Sequence, residues 1–252
     1  MRRTSAVTVA VIVGTGVTEQ FEFGRGTVVR TPYGNASAYL SPGGRFWIIP
    51  RHGPQHTLPP HRINYRANVA ALRKLGVESV VATCAVGSMR EDFAPGQLGL
   101  VDQFIDFTRS RRSTFFDEKV VHTDMTHPYS REVDSAVAEA ARRLTMELRM
   151  GLVYICVDGP RYETAAEIKM FRAMGGDVVG MTGVPEAVLA NEAGLRYSSV
   201  VVATNWAAGI SARVSHDEVL SVMREQGSTV KKLLEETVNV VQAHPSRREA
   251  SK

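Results

Sequence analysis

The sequence predicts a single α/β domain, with a mixed central β-sheet flanked by helices. Two patterns support this prediction. Apolar, β-branched runs such as Val7–Val13 and Ser198–Ala203 end at glycine or polar turns, which is typical of strands buried on both faces. Stretches with apolar residues at helical spacing lie between these runs, and glycine closes most of them. A chain of 252 residues, 44% of them hydrophobic, can bury one core of this kind.

The individual elements follow from these two patterns. The apolar runs predict strands at Val7–Val13, Phe46–Ile49, Ser79–Ala82, Leu98–Val101, Leu152–Val157, Val178–Gly180 and Ser198–Ala203. The helical spacing predicts helices at Arg62–Leu75, Arg131–Arg149, Ala165–Met174, Pro185–Ala193 and from Ser215 to about Ala243. The last helix has a serine that can cap it and an apolar stripe that indicates packing. We expect residues 1–252 to form one domain with a polar tail from about residue 244.

Composition excludes several classes of protein. The net charge is +4 and the pI is about 9.2, but the basic residues are scattered, and no recognition helix or aromatic platform for nucleic acid is visible. The apolar runs are far shorter than the ~20 residues of a membrane span, and the first residues lack a signal-peptide cleavage pattern. Cys84 and Cys156 have no metal-ligand spacing and are expected to be free thiols. We therefore expect a cytoplasmic protein without nucleic-acid, membrane or metal partners.

Two predicted strand ends are typical of an anion site. Gly14-Thr15-Gly16 follows the first strand, where a glycine turn exposes backbone N–H groups and Thr15 adds a hydroxyl donor. The third glycine of a dinucleotide-binding motif is absent. Arg51 follows Phe46–Ile49, which suits either a bidentate grip on phosphate or a surface ion pair. These residues alone leave both interpretations open.

Further polar clusters recur along the chain in a fixed order, and together they resemble one family. They are Pro50-Arg51-His52-Gly53, the run from Pro60 to Asn68, the run from Ala85 to Glu91, the run from Asp158 to Thr164, the run from Gly180 to Glu186, and the run from Thr204 to Gly209. Their order and spacing are similar to those of the trimeric branch of the purine nucleoside and methylthioadenosine phosphorylases. The resemblance covers nearly the whole chain and implies the nucleoside phosphorylase fold.

The resemblance implies a phosphate site. Its expected ligands are Thr15, Arg51, His52, the backbone at Ala85, and Thr182. One position departs from the family pattern, because Cys84 stands where relatives often have serine or threonine. A thiol donates a much poorer hydrogen bond than a hydroxyl. Whether phosphate loses a side-chain contact here or is held by the backbone alone stays open.

Three residues are expected at the purine. Tyr162 offers a flat face for stacking, Glu163 a carboxylate acceptor, and Asn205 an amide that both donates and accepts. A 6-oxopurine presents a ring N–H and a carbonyl oxygen, which match this pair, whereas adenine would leave the Glu163 acceptor unpaired. Adenine-specific relatives have aspartate at position 205, a second acid at 207 and a small residue at 163. Taken singly, Glu163 could instead cap a helix or pair with Arg161, and Asn205 could simply end its strand.

The residues expected at the ribose come from the resemblance. Met181 would lie against the sugar, and His216 aligns with the residue that meets the 5′-hydroxyl group. His122, or an aromatic residue such as Phe115 or Phe116, would reach the site from a neighbouring subunit of a homotrimer. Two alternatives remain at the 5′ position. His216 could be a solvated helix cap, and the apolar residues Val219 and Leu220 could accept a methylthio group.

The expected reaction is reversible phosphorolysis of inosine and guanosine to free base and ribose 1-phosphate, without a cofactor or metal. Asn205, Glu163 and His52 are the expected catalytic residues. The first alternative is phosphorolysis of S-methyl-5′-thioinosine or S-methyl-5′-thioadenosine. A second alternative is a nucleoside-binding protein that does no chemistry.

Overall fold

The computed structural model describes residues 8–210 and 214–244, and in these ranges one mixed sheet forms the centre of the domain. Its strands are β1 (Val9–Val13), β2 (Gly26–Thr31), β3 (Gly34–Leu40), β4 (Trp47–Pro50), β5 (Ser79–Ser88), β6 (Leu98–Asp106), β7 (Arg149–Cys156), β8 (Val178–Gly180) and β9 (Arg196–Trp206). The spatial order is β2-β3-β4-β1-β5-β8-β7-β6-β9, and β5 also pairs with β9. The predicted α/β class with a mixed sheet is confirmed.

Parallel pairing in the middle of the sheet explains the unbroken apolar runs. β1 lies between β4 and β5, and β5 continues the parallel arrangement to β9. Strands covered by helices on both faces must be apolar on both faces. Accordingly, every residue of β1 is buried, and so are nearly all those of β9. The apolar side chains from the two faces form the two largest clusters of the core.

The helices are α1 (Tyr65–Lys74), α2 (Arg131–Arg143), α3 (Ala165–Ala173), α4 (Glu186–Glu192) and α5 (His216–Ala243). Side chains cap several of them at the amino end. The predicted cap is present at Ser215, whose side chain accepts from the backbone N–H of Glu218. The apolar stripe of α5 is buried against the sheet, as predicted. No helix in the described ranges is long and apolar enough to cross a membrane.

Several predicted boundaries were wrong. The helix predicted at Arg131–Arg149 ends at Arg143, and β7 already begins at Arg149, because Thr145 takes a positive φ of 54° that interrupts the helix. The antiparallel strands β2 and β3 were missed, since β2 is largely exposed and lacks a buried apolar run. β5, β6 and β9 extend beyond their apolar segments. The start of the strand predicted at Val7 lies outside the described residues.

The topology gathers the predicted site residues at one edge of the sheet. Parallel strands present their carboxyl ends on the same side. Gly14 follows β1, Arg51 follows β4, and Asn205 lies near the end of β9. β5 passes between β1 and β9 and carries Ala85 in its second half. A site built at this edge is therefore supported by four rigid strands.

Candidate active site

A cavity of about 470 Å³ opens at this edge of the sheet. Nearly all of the predicted site residues line it. They are Thr15, Arg51, His52, Ala85, Tyr162, Glu163, Met181, Thr182, Asn205 and His216. His122 does not line this cavity, and its side chain is exposed on the surface. The structure therefore brings together the residues of one chain that the sequence analysis placed in one site.

The turn after β1 forms one end of the cavity. The backbone N–H groups of Val17 and Thr18 both donate to the carbonyl oxygen of Gly14, which closes the turn. Gly14 also has to be glycine, because a Cβ atom there would lie 2.9 Å from Nη1 of Arg51. Thr15 lines the cavity from this turn. The side chain of Arg51 thus packs directly beneath the turn that was predicted to bind an anion.

Arg51 is held in a buried network, and this corrects the expectation of a free bidentate fork. Its Nε and Nη2 atoms donate to the two carboxylate oxygens of Glu186 at 2.8 and 2.7 Å, and Nη1 donates to the carbonyl oxygen of Thr83 at 2.6 Å. Arg51 is 1% exposed and Glu186 is 0% exposed, so the alternative of a surface ion pair is also wrong. Only the second hydrogens of Nη1 and Nη2 remain for a ligand.

Glu186 was missed as a member of this site, although it stands at the end of the Gly180–Glu186 cluster. It begins α4 and accepts a third hydrogen bond, at 2.8 Å, from the hydroxyl group of Tyr197. Burial opposes the charge of Arg51, but the neighbouring carboxylate of Glu186 raises the pKa of the guanidinium well above its ordinary value. Arg51 therefore stays cationic, with its charge balanced by Glu186.

His52 has a defined tautomer. Its Nδ1 lies 2.8 Å from the carbonyl oxygen of Leu58, and a carbonyl oxygen only accepts hydrogen bonds. Burial lowers the pKa of His52 to about 4, so the ring is neutral near pH 7. The single ring proton therefore sits on Nδ1, and Nε2 carries a lone pair. This edge of the ring lies near the turn at Gly14. A Cβ atom placed on Gly14 would be 3.8 Å from Cδ2 of His52, which is the ring neighbour of Nε2.

A second histidine, His56, was missed by the sequence analysis. Its ring stacks on that of His52 with the centroids 4.5 Å apart, and its Nε2 lies 3.3 Å from Oγ1 of Thr15. Burial lowers the pKa of His56, which favours the neutral ring. The residue has a φ of 53°, an unusual conformation for a side-chain-bearing residue. That conformation is not visible in a sequence, and this explains the omission.

Ala85, Cys84 and Thr182 form the floor beside Arg51. Alternate residues of a strand direct their backbone groups to the same side, so the N–H of Ala85 points the same way as the carbonyl of Thr83, which meets Arg51. The pairing of β1 with β5 stops at Ala82, which leaves that side open next to Ala85. The hydroxyl group of Thr182 donates to Sγ of Cys84 at 3.4 Å. Cys84 is thus a buried partner of Thr182.

Tyr162 and Glu163 line the cavity from the segment between β7 and α3. Arg161 directs its guanidinium to Glu167, and Thr164 and Glu167 form the capping box of α3. Neither the helix cap nor the arginine therefore uses the Glu163 carboxylate, which excludes the two structural alternatives considered for this residue. Burial raises the pKa of Glu163 above its ordinary value. This half-buried carboxylate is available to a ligand.

Asn205 lies near the end of β9, opposite Gly87 in the register with β5. Its Oδ1 lies 2.9 Å from the Thr204 hydroxyl group, and its Nδ2 donates to the carbonyl oxygen of Trp206 at 2.9 Å. Nδ2 has a second hydrogen, for which no acceptor is present among the described residues. Asn205 is 4% exposed and lines the cavity, so its amide is oriented before any ligand arrives.

Met181 and the first turns of α5 also line the cavity. Met181 packs on the turn at Gly159, where an added Cβ would lie 2.4 Å from the methionine sulfur. His216, Val219 and Met223 face the cavity from α5. Residues 211–213, just before this helix, lie outside the described ranges. Within the described ranges, no group of three or more histidine, cysteine or acidic residues is arranged to hold a metal.

Comparison with known proteins agrees with this arrangement. The family model of the phosphorylase superfamily matches residues 8–239. The chain is 43% identical over 238 residues to the 6-oxopurine nucleoside phosphorylase of Pyrococcus furiosus, covering 90% of each chain. It is 47% identical over 226 residues to a probable S-methyl-5′-thioinosine phosphorylase of Methanothermobacter thermautotrophicus, covering 86% of this chain and 79% of the relative.

The same family emerges from comparison of the structures. The methylthioadenosine phosphorylase of Schistosoma mansoni in complex with tubercidin superimposes with a TM-score of 0.88 at 33% identity, covering 94% of this chain and 92% of the other. The chain therefore belongs to the phosphorylase superfamily and has the single-domain α/β fold of its nucleoside phosphorylases.

Proposed function

We propose that the protein catalyses the reversible phosphorolysis of 6-oxopurine nucleosides such as inosine and guanosine. One observation carries the proposal: Glu163 and the pre-oriented amide of Asn205 share a cavity with Arg51, Thr15 and the turn at Gly14. The first pair suits a 6-oxopurine, and the second group suits an oxyanion. A cavity of about 470 Å³ is within the usual range for a small-molecule site.

At the anion end, phosphate acts as nucleophile. One of its oxygens forms a bond to the anomeric carbon, with inversion, while the electron pair of the glycosidic bond moves onto the purine. The sugar is cation-like as that bond breaks, so an anion fixed next to it stabilises the transition state. Arg51, Thr15 and the backbone N–H of Ala85 supply donors to phosphate, and the Thr182 hydroxyl adds one when it turns from Sγ of Cys84 to the anion. No metal or organic cofactor takes part in the proposed reaction.

At the base end, the departing purine gains negative charge. The free N–H of Asn205 donates to it, and the Glu163 carboxylate accepts the ring N–H of a 6-oxopurine. Adenine has an unprotonated ring nitrogen at that point, so a carboxylate there would face another acceptor. Tyr162 supplies an aromatic face at the same end of the cavity. The relative from Pyrococcus furiosus carries the name of the activity proposed here.

A 5′-methylthio substrate is the second candidate, and one observation favours it. Val219 and Met223 line the cavity next to His216, so an apolar surface adjoins the only histidine that α5 contributes to the cavity lining within the described residues. Relatives of similar identity are named for S-methyl-5′-thioinosine. This alternative shares the same base and phosphate chemistry and differs only at the sugar.

We also propose that the enzyme is a cytoplasmic homotrimer in which His122, or an aromatic residue such as Phe115 or Phe116, completes a neighbouring site. Support comes from the exposed position of His122, away from the cavity of its own chain. Both cysteines are unpaired, which suits a reducing compartment. Light scattering should give three times the chain mass of 27.6 kDa, and a monomer would contradict this proposal.

The decisive assay follows phosphate-dependent release of base from inosine, guanosine, adenosine, methylthioinosine and methylthioadenosine in parallel. We expect 6-oxopurine compounds to be preferred, and Asn205→Asp to shift the preference toward adenine compounds. A lower KM for the thio-nucleoside would assign the methylthio activity. Preference for adenine in the parent enzyme would contradict the roles of Glu163 and Asn205. Stabilisation by nucleoside without any turnover would indicate a binding protein.

Cys84→Ser is expected to strengthen phosphate binding. A hydroxyl group is a better donor than a thiol, so the KM for phosphate should fall by about 5-fold, with little change in kcat on inosine. Steady-state rates at varied phosphate concentration measure this effect. Cys156→Ser is the matched control, because Cys156 is also fully buried but does not line the cavity. An unchanged KM for phosphate in Cys84→Ser would show that the backbone alone holds the anion at this position, and a higher KM would contradict the expectation.

A further inference from the structure

We propose that His52 makes the anion site selective for oxyanions that carry a proton, so that phosphate and arsenate bind in preference to sulfate. The inference rests on the proposed function, because it concerns the same anion end of the cavity. It assigns to His52 a hydrogen bond that it accepts from the anion. That role differs from the donation expected of a histidine beside an anion.

His52 has an unprotonated Nε2 atom in the free enzyme. The Leu58 carbonyl oxygen lies 2.8 Å from Nδ1 and can only accept, so the ring proton must be on Nδ1. His52 is 6% exposed and lines the cavity. Among the described residues, Nε2 has no hydrogen-bond partner. This nitrogen is not one of the fully buried, unpaired polar atoms of the described residues, so its lone pair faces the cavity, where a ligand that carries a donor can reach it.

The charges around His52 keep its ring neutral. The titratable groups that face it are Arg51 and His56. A nearby guanidinium and a second histidine both oppose a positive charge on His52, and burial lowers its pKa to about 4. The Arg51 charge is itself balanced by Glu186 at 2.7 Å. Within the described lining of the cavity, the fixed cation Arg51 is therefore compensated. Hydrogenphosphate and sulfate carry the same double negative charge, so the site has to distinguish them by hydrogen bonds.

The three anions differ in whether they can donate a hydrogen bond. Near neutral pH, inorganic phosphate and arsenate retain at least one O–H group, whereas sulfate has none. A protonated oxyanion can donate to Nε2 of His52 while its other oxygens accept from Arg51, Thr15 and the backbone N–H of Ala85. Sulfate would place an oxygen lone pair against the lone pair of Nε2. Discrimination of this kind comes from a buried polar group left unpaired by the wrong ligand.

Binding of the three anions to the purified enzyme tests the inference without requiring turnover. Isothermal titration at pH 7.5 and constant ionic strength should show inorganic phosphate and sodium arsenate binding about 10- to 100-fold more tightly than sodium sulfate. In His52→Gln the amide can turn either its oxygen or its nitrogen to the anion. The ratio of phosphate to sulfate affinity should then fall to within about 3-fold of unity.

His56→Gln is the matched control, since His56 stacks on His52 and contacts Thr15 but has no role in the proposed discrimination. It should weaken phosphate and sulfate alike and leave their ratio unchanged. Equal affinity for the three anions in the parent enzyme would overturn the inference, and so would a ratio unaffected by His52→Gln. Anion selectivity without phosphorolysis would instead count against the proposed function alone.

The tautomer can be measured directly, which keeps the test valid if the His52 variant does not fold. Long-range proton–nitrogen correlation spectra of the enzyme labelled with ¹⁵N-histidine distinguish a protonated Nδ1 from a protonated Nε2. The chain has 7 histidines, so a set of single variants assigns the signals. We expect His52 to show a bare Nε2 that moves when phosphate is added. A proton on Nε2 in the free enzyme would contradict the proposal.

Discussion

Glu186→Leu is expected to lower the free energy of unfolding by about 3–5 kcal/mol, because it leaves the Arg51 guanidinium buried without its partner. Arg51 and Glu186 are 1% and 0% exposed, so water cannot replace the lost carboxylate. Tyr197 would lose the acceptor of its hydroxyl group as well. Chemical denaturation of the parent and the variant, both without added phosphate, measures the difference.

Two further variants separate charge from packing. The double variant Arg51→Met with Glu186→Leu removes both charges and should recover most of the lost stability, although it should abolish phosphate binding. Glu139→Gln breaks exposed contacts to Arg142 and Arg143 and should lower stability far less than Glu186→Leu, because solvent screens exposed ion pairs. A loss in Glu186→Leu no larger than in Glu139→Gln would show that the buried pair is not required for stability.

Asn205→Ala is expected to reduce kcat on inosine about 100-fold or more, with a much smaller change in KM for phosphate. Its free N–H stabilises charge that appears on the base only as the glycosidic bond breaks, and the loss of one such donor has effects of this size. The amide is already held by Thr204 and Trp206, so little conformational entropy is lost when it is positioned against the base. Steady-state kinetics with inosine and phosphate varied separately checks this expectation.

Asn191→Ala is the control for this variant. Asn191 is half-buried, and its amide donates to the carbonyl oxygens of Pro128 and Ala187, but it does not line the cavity. It should lower stability and leave kcat unchanged. If both variants lost turnover equally, the effect would be one of folding. If Asn205→Ala kept its kcat, the base would have to be activated by another residue.

Much of the fold could be predicted because its central strands are buried on both faces. The runs at β1 and β9 have to be apolar throughout, and this pattern is visible without a structure. β2 and β3 lack that constraint, because they form an edge hairpin with many exposed side chains. Their apolar residues are too few to distinguish a strand from a loop.

The residues that line the candidate site could be predicted better than the hydrogen bonds that they make. Motif order predicted that Arg51 and Glu163 would stand in one cavity, and both line it. The partner of Arg51 is Glu186, which is 135 residues further along the chain, so no local spacing indicates the pair. The same holds for the contact of His52 with Leu58, since the direction of a ring is decided by folding. Sequence patterns indicate which groups meet, and the fold decides which of their atoms remain free.

The course of β5 has a consequence for the kinds of nucleoside that the enzyme can use. This one strand carries Ala85 at the anion end and Gly87 beside Asn205 at the base end, with a shift of register between Val86 and Gly87. In the proposed reaction, one strand therefore sets the distance between the phosphate and the purine base. For the proposed reaction we therefore expect substituents to vary where α5 and the surface loops meet the ligand, while the spacer between phosphate and base stays one pentose ring.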